Sequence, residues 1–117
     1  MANCVLVYMT AANVTEAKRI SRMLLNERLV ACVNILGHVT SLFRWKDKLQ
    51  EGREVVFVAK TRASSVKGLA RRVRELHSYE VPCVTALPIM GGNPAFLRWI
   101  TAETRRPARA TAKRRKP

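Results

Sequence analysis

Residues Leu29–Thr61 read LVACVNILGHVTSLFRWKDKLQEGREVVFVAKT, two long extended runs that fold back on each other. The first, Leu29–Trp45, is rich in Val, Ile, Thr and aromatic residues, with Gly37 as its interruption. A glycine inside a strand pattern marks a bulge or bend, since it tolerates backbone angles other residues resist. Lys46-Asp47-Lys48 and Gln50-Glu51-Gly52 read as the polar turn, and Glu54–Thr61 as the return strand. Side chains alternate across a strand, so Glu54, Val56, Val58 and Lys60 share one face and Val55, Phe57 and Ala59 the other. The middle of each face is apolar, whereas a half-exposed antiparallel strand carries polar residues on its wet side. Both sides of this sheet therefore need a cover.

Working outward, Cys4–Met9 is a short apolar run that reads as a central strand. Asn13 has the chemistry of a helix N-cap, and Glu16, three residues on, suits a capping box. Ala17, Ile20, Met23 and Leu24 follow at helical spacing, opposite Lys18, Arg19 and Arg22, predicting a helix over Val14–Arg28. Ser64 or Ser65 caps a second helix, whose apolar stripe is Val66, Leu69, Ala70, Val73, Leu76 and His77. Val81 before Pro82 is pushed towards extended geometry, ending that segment. Val84–Met90 reads as a last strand, on an edge because of Pro88. Asn93-Pro94 is a start signal for a closing helix carrying Phe96, Leu97 and Ile100.

The element order is βαββαβ plus a C-terminal helix, an α+β, ferredoxin-like α/β sandwich on a four-stranded antiparallel sheet. Its two main helices cover one face only. The other is expected to find its cover in further copies of the chain, in a closed ring of a few subunits.

The 117 residues make one domain, 48% hydrophobic and 26% charged, as in a globular protein. There are 22 Lys and Arg against 8 Asp and Glu, a formal charge of +14. Half of the excess lies in Arg105–Pro117, which holds Arg105, Arg106, Arg109, Lys113, Arg114, Arg115 and Lys116 and no acid. The expected organisation is a folded domain over 1–104 and a basic, disordered tail over 105–117. No leader pattern precedes the first strand and no apolar run is long enough to span a bilayer. Three cysteines, Cys4, Cys32 and Cys83, then read as reduced thiols of a cytoplasmic protein.

Five stretches taken together resemble one known family. Leu29-Val30-Ala31-Cys32-Val33-Asn34-Ile35 is similar to its LxACvNI motif, and Ser41-Leu42-Phe43-Arg44-Trp45 to SxYxW. Glu54 through Lys60-Thr61 resembles its E…KT strand, His77-Ser78-Tyr79-Glu80-Val81-Pro82 its HPYEVP, and Phe96-Leu97-Arg98-Trp99-Ile100 its YLxWI. In this order and spacing they resemble the CutA divalent-cation tolerance family. The resemblance implies a homotrimer, PII-like in fold, that binds copper or another divalent cation and has no firmly attached catalytic reaction. The metal ligands of a well-known bacterial member, a cysteine ending the first strand and two histidines ending the second helix, fall here on Met9, Leu76 and His77. Met9 keeps a soft sulfur but not the thiolate charge, and Leu76 cannot ligate.

His77 thus has two readings, a packing residue ending the helix or a metal ligand. A Met9, His77 and Cys83 set would suit Cu(I) if the fold gathers it. Cys32 reads as a packed strand residue, or as a nucleophile activated by His77. Trp45, Lys60, Tyr79 and Trp99 are candidates to line an intersubunit ligand pocket, or to be interface packing. Glu54 and Lys60 are either an ion pair between subunits or two solvated strand ends. The basic tail suits non-specific, salt-sensitive contact with nucleic acid and carries no base-reading motif. Three function classes follow: a non-enzymatic metal-tolerance trimer, a PII-like signalling module with ligand in its subunit clefts, and a nucleic-acid-associated basic protein.

Overall fold

A computed structural model describes residues 3–105 of the chain. Its elements are β1 (Cys4–Ala11), α1 (Val14–Asn26), β2 (Cys32–Trp45), β3 (Lys48–Arg62), α2 (Val66–Leu76), β4 (Val84–Pro88) and α3 (Pro94–Glu103), with a 3-10 turn (Ala63–Ser65) before α2. The four strands form one antiparallel sheet in the order β2-β3-β1-β4. The order of elements is the ferredoxin-like one read from the sequence.

The β2–β3 hairpin is longer than expected. Gln50-Glu51-Gly52 does not belong to the turn; it stays in the ladder opposite Phe43, Leu42 and Ser41. The loop is Lys46-Asp47 alone, closed by the Trp45–Lys48 pair, with φ of 51° and 65° at its two residues. Two positive φ angles match the right-handed strand twist in a two-residue turn, and Lys-Asp lacks the Asn-Gly signature that announces such a turn in sequence. The break at Gly37 is a bulge: Ile35 pairs with Phe57 and Gly37 with Val56, leaving Leu36 extra. Gly37 sits at φ 122°, a backbone region in which other residues are strained. Because one residue is inserted, the alternation inverts beyond it: Val33 and Ile35 face the helices, whereas Val39, Ser41, Phe43 and Trp45 fall on the opposite face.

The capping of α1 also differs in detail. Asn13 Oδ1 accepts from the Glu16 N–H at 2.8 Å, as a cap should. Glu16 reaches back one residue further than in a capping box, accepting from the Ala12 N–H at 2.9 Å. The helix ends at Asn26 rather than Arg28, whose φ of 58° turns the chain out of helical geometry. On α2, Ser65 occupies the cap position without making a side-chain capping bond, because the 3-10 turn carries the chain in. β4 ends at Pro88, short of Met90, on the sheet edge where a missing N–H costs no ladder bond.

The core lies between one face of the sheet and the pair α1 and α2. Val5, Val7, Met9 and Ala11 of β1, with Val55, Phe57 and Ala59 of β3, meet Ala17, Ile20, Leu24, Leu69 and Val73. Phe57 is fully buried, which contributes roughly 1.5–3 kcal/mol relative to an exposed ring. The second face is not bare. At its Cys4 end α3 lies across it, packing Ile100 and Leu97 on Cys4, Ala31 and Ile89. Beyond α3 the same face stays open, with Tyr8 39% exposed, Leu87 48% and Phe43 45%.

Candidate functional site

Where α2 runs out, the chain wraps the end of β1 and builds a polar knot against the start of α1. The side chain of His77 is fully buried. Its Nδ1 accepts from the Tyr79 N–H at 3.0 Å, and its Nε2 lies 2.8 Å from the Thr10 carbonyl oxygen. An acceptor at Nε2 leaves that nitrogen as the donor, so the partners assign a neutral ring protonated on Nε2. Both nitrogens are spent within the chain. Tyr79 packs on the imidazole with ring centroids 4.5 Å apart.

Glu16 is the hub beside it. Its carboxylate accepts from the Ala12 N–H, from the Ser78 N–H at 2.8 Å and from the Ser78 hydroxyl at 3.1 Å, and Oε2 stands 3.8 Å from His77 Nδ1. Burial works against its charge, yet the Ala12 and Ser78 donors prevail and hold the carboxyl below its ordinary range. A second link runs from Tyr79 to Glu54, which accepts from the Ser41 hydroxyl at 2.6 Å. Burial first, and then the hydrogen bond and charge of Glu54, push the Tyr79 phenol up to about 12. Thr10, Glu16, His77, Ser78 and Tyr79 together clamp α2's exit to β1 and α1. The sequence reading gave Glu16 a capping role alone; the signal for more was a carboxylate retained on the inward side of an amphipathic helix.

The candidate metal donors do not gather. Met9 belongs to the face covered by α1 and α2, fully buried in the apolar core. Cys83 is half-buried on the opposite side, its Sγ 4.0 Å from the Tyr8 carbonyl oxygen and 3.9 Å from Thr85 Oγ1. With the His77 nitrogens engaged, these residues do not fit a metal ion within one chain. Among the described residues no three His, Cys, Asp or Glu side chains are grouped to hold a metal. Cys32 lies across the ladder from Lys60, on the face away from the core in which His77 sits, so the fold does not pair the two. Cys4, Cys32 and Cys83 are free thiols.

The candidate pocket residues occupy three places. Lys60 Nζ bonds Asn34 Oδ1 at 2.9 Å and stands 5.9 Å from the centre of the Phe96 ring. Phe96 in turn stacks on Trp99 at 5.5 Å, so Lys60 and Trp99 gather beside α3 on the second face. Within the chain Lys60 therefore pairs with Asn34. Tyr79 is in the knot, and Trp45 is at the hairpin tip with Lys46 Nζ 5.8 Å from its ring. From Lys48, opposite Trp45, to Lys60 the strand runs about 40 Å at the usual rise. The four can share a pocket only if another chain supplies the Trp45 end.

Residues 5–103 match the model of the CutA1 divalent ion tolerance protein family. The chain belongs to that family. The CutA homolog of Xenopus laevis is 47% identical over 93 residues, covering 80% of this chain and 62% of the frog protein. The chain thus spans under two-thirds of that relative's length. Among solved structures, CutA1 of Oryza sativa has a TM-score of 0.85 at 38% identity, covering 89% of this chain and 95% of the rice chain. A divalent cation tolerance protein CutA of Archaeoglobus fulgidus, described as periplasmic, has a TM-score of 0.84 at 36% identity over 87% of this chain and 99% of its own. The family is described by divalent ion tolerance. No helix among the described residues is long and apolar enough to cross a membrane. The basic stretch past Arg105 lies outside the described residues.

Proposed function

We propose that this chain works as a cytoplasmic homotrimer in divalent-ion tolerance, binding copper or a related cation, and not as an enzyme. The open remainder of the second face carries the reading. Tyr8, Val58, Leu87 and Phe43 present an apolar surface for which the described residues supply only one short helix, and a closed ring of copies covers such a surface without leaving an edge. Since one chain does not assemble a donor set, the cation is held where chains meet. Cys83, a half-buried soft donor on the second face, is the residue we assign to it, while Met9 and His77 keep their places in the core.

The test joins sedimentation equilibrium with copper titration. A trimeric mass at micromolar concentration and Cu(I) binding that weakens about tenfold in Cys83→Ser are expected, the loss of one soft ligand being worth at least that factor. A well-folded monomer removes the assembly. Equally weak copper binding by wild type and variant removes the metal from this member.

A second reading has one observation of its own, the Lys60, Phe96 and Trp99 group beside α3. With a neighbour's Trp45 added, it resembles a PII-like cleft for a small anionic ligand, and ligand found in that cleft would favour it. The basic tail adds salt-sensitive, non-specific contact with nucleic acid in either case, a contact that deleting 105–117 abolishes.

A further inference from the structure

At the end of the sheet where Arg62 leaves β3, the α1–α2 layer and α3 part around a cavity of about 460 Å³. Arg28, Arg62, Arg105, Ser64, Ser65 and Gly68 line it. Three arginines thus border one recess. The one lining carboxylate, Glu27, is held by Arg72 Nε at 2.9 and 3.0 Å from its two oxygens. The Glu103 carboxylate stands 3.7 Å from Arg28 Nη1 and offsets part of its charge, so the surplus, still positive, rests mainly on Arg62 and Arg105.

Two of these arginines are fixed by the end of α3. Arg62 donates from Nε to Thr104 Oγ1 at 2.9 Å and from Nη2 to the Thr104 carbonyl at 2.7 Å. Arg28 Nη1 donates to the Glu103 carbonyl at 3.0 Å. Closing the helix explains those bonds but not the whole group, since a guanidinium has five N–H donors and these contacts use a minority of them. Their planes are thus pre-oriented with donors to spare, which lowers the ordering cost of binding an oxyanion. Ser65 makes no capping bond, and the first turn of α2 holds no acid to neutralise that end of the helix. Gly68 lines one wall without a side chain.

We propose that this cavity binds a phosphate-class anion, either free or as the ester of a small molecule. Arginine forks match the planar spacing of phosphate oxygens, and the volume falls within the range of small-ligand sites, well beyond what the bare ion fills. The chain's own continuation is a poor occupant, because residues 106–117 bring six basic side chains and no acidic one.

Calorimetric titration of the full chain with inorganic phosphate, and separately with glycerol 3-phosphate, tests the proposal against chloride at equal ionic strength. Saturable binding of at least one probe is expected. Arg105→Glu and Ser64→Asp, both at exposed positions, each weaken it about tenfold or more, as the loss of one charge-assisted hydrogen bond requires. Arg105→Lys keeps the charge and most of the affinity, and thermal melts confirm that the variants fold. Tighter binding of the ester assigns a phosphorylated small molecule, and binding of phosphate alone assigns the free ion. No saturable signal beyond chloride with either probe overturns the site. So does affinity unchanged in both acidic variants, which would place the anion on the basic tail.

Discussion

The two faces of the sheet are finished differently. One is sealed inside the chain, with β1 and β3 packed on α1 and α2 and the polar knot of Glu16, His77 and Ser78 bolting the helices to the strand. The other has α3 across a single end and is otherwise left with Tyr8, Leu87 and Phe43 in the open. A strand greasy on both sides is thus solved locally on one side and deferred on the other. Mutations on neighbouring residues of β3 should report that difference, since Phe57 and Val58 point to opposite faces.

The largest effect is expected from Phe57→Ala, which empties a fully buried site and should cost about 3–5 kcal/mol of stability in denaturant unfolding. A loss under about 1 kcal/mol would mean the helix-covered face is not the main core. Next comes Val58→Asp. In a trimer it places a charge in the buried joint, so the variant should sediment as a monomer with helical content retained. If the variant stays assembled, the second face is not where the copies meet.

Glu16→Gln sharpens the comparison from the sealed side. It keeps the shape, but an amide has one acceptor oxygen, so the bonding at one of the two carboxylate oxygens is lost and the rest weakened, for an expected loss of about 1–3 kcal/mol at neutral pH. The sign of the pH dependence follows from its lowered folded value: the contribution is present above the ordinary carboxylate value of 4.5 and is lost as pH falls through the folded one. Tyr79 acts at the alkaline end. Its raised value keeps stability in place below 10.0 and removes it as pH climbs towards about 12. Acid and alkaline unfolding curves of wild type against the two variants Glu16→Gln and Tyr79→Phe check both limits. The first substitution should flatten the acid limb only, and the second the alkaline limb only.

Much of the fold was legible in the sequence, because period and caps are local signals. The Asn13 cap, the Ala17–Ile20–Leu24 stripe, the Gly37 bulge and the Asn93-Pro94 start are all where their residues point. The hairpin turn was harder to place. Lys46-Asp47 resembles any polar pair, and Gln50-Glu51-Gly52 looks like loop because the strand there projects past the core and its own residues are polar or glycine, although Phe43 and Leu42 stand opposite. The candidate site was legible as motif but not as chemistry. His77 in sequence offers two nitrogens; in the fold, Thr10 and Tyr79 reach both of them, and neither partner is signalled by spacing.

The extra residue at Leu36 has a bearing on how the hairpin arm can change over evolutionary time. Beyond it, the pleat has already been reversed once, so an insertion of a single residue between the bulge and the Lys46-Asp47 loop would swap every outward side chain for its opposite. The arm can grow or shrink only in even steps, matched on β2 and β3, if Val39, Ser41 and Phe43 are to keep their side. Length variation among related arms should therefore come in paired residues, with odd differences confined to the tip or absorbed by a second kink.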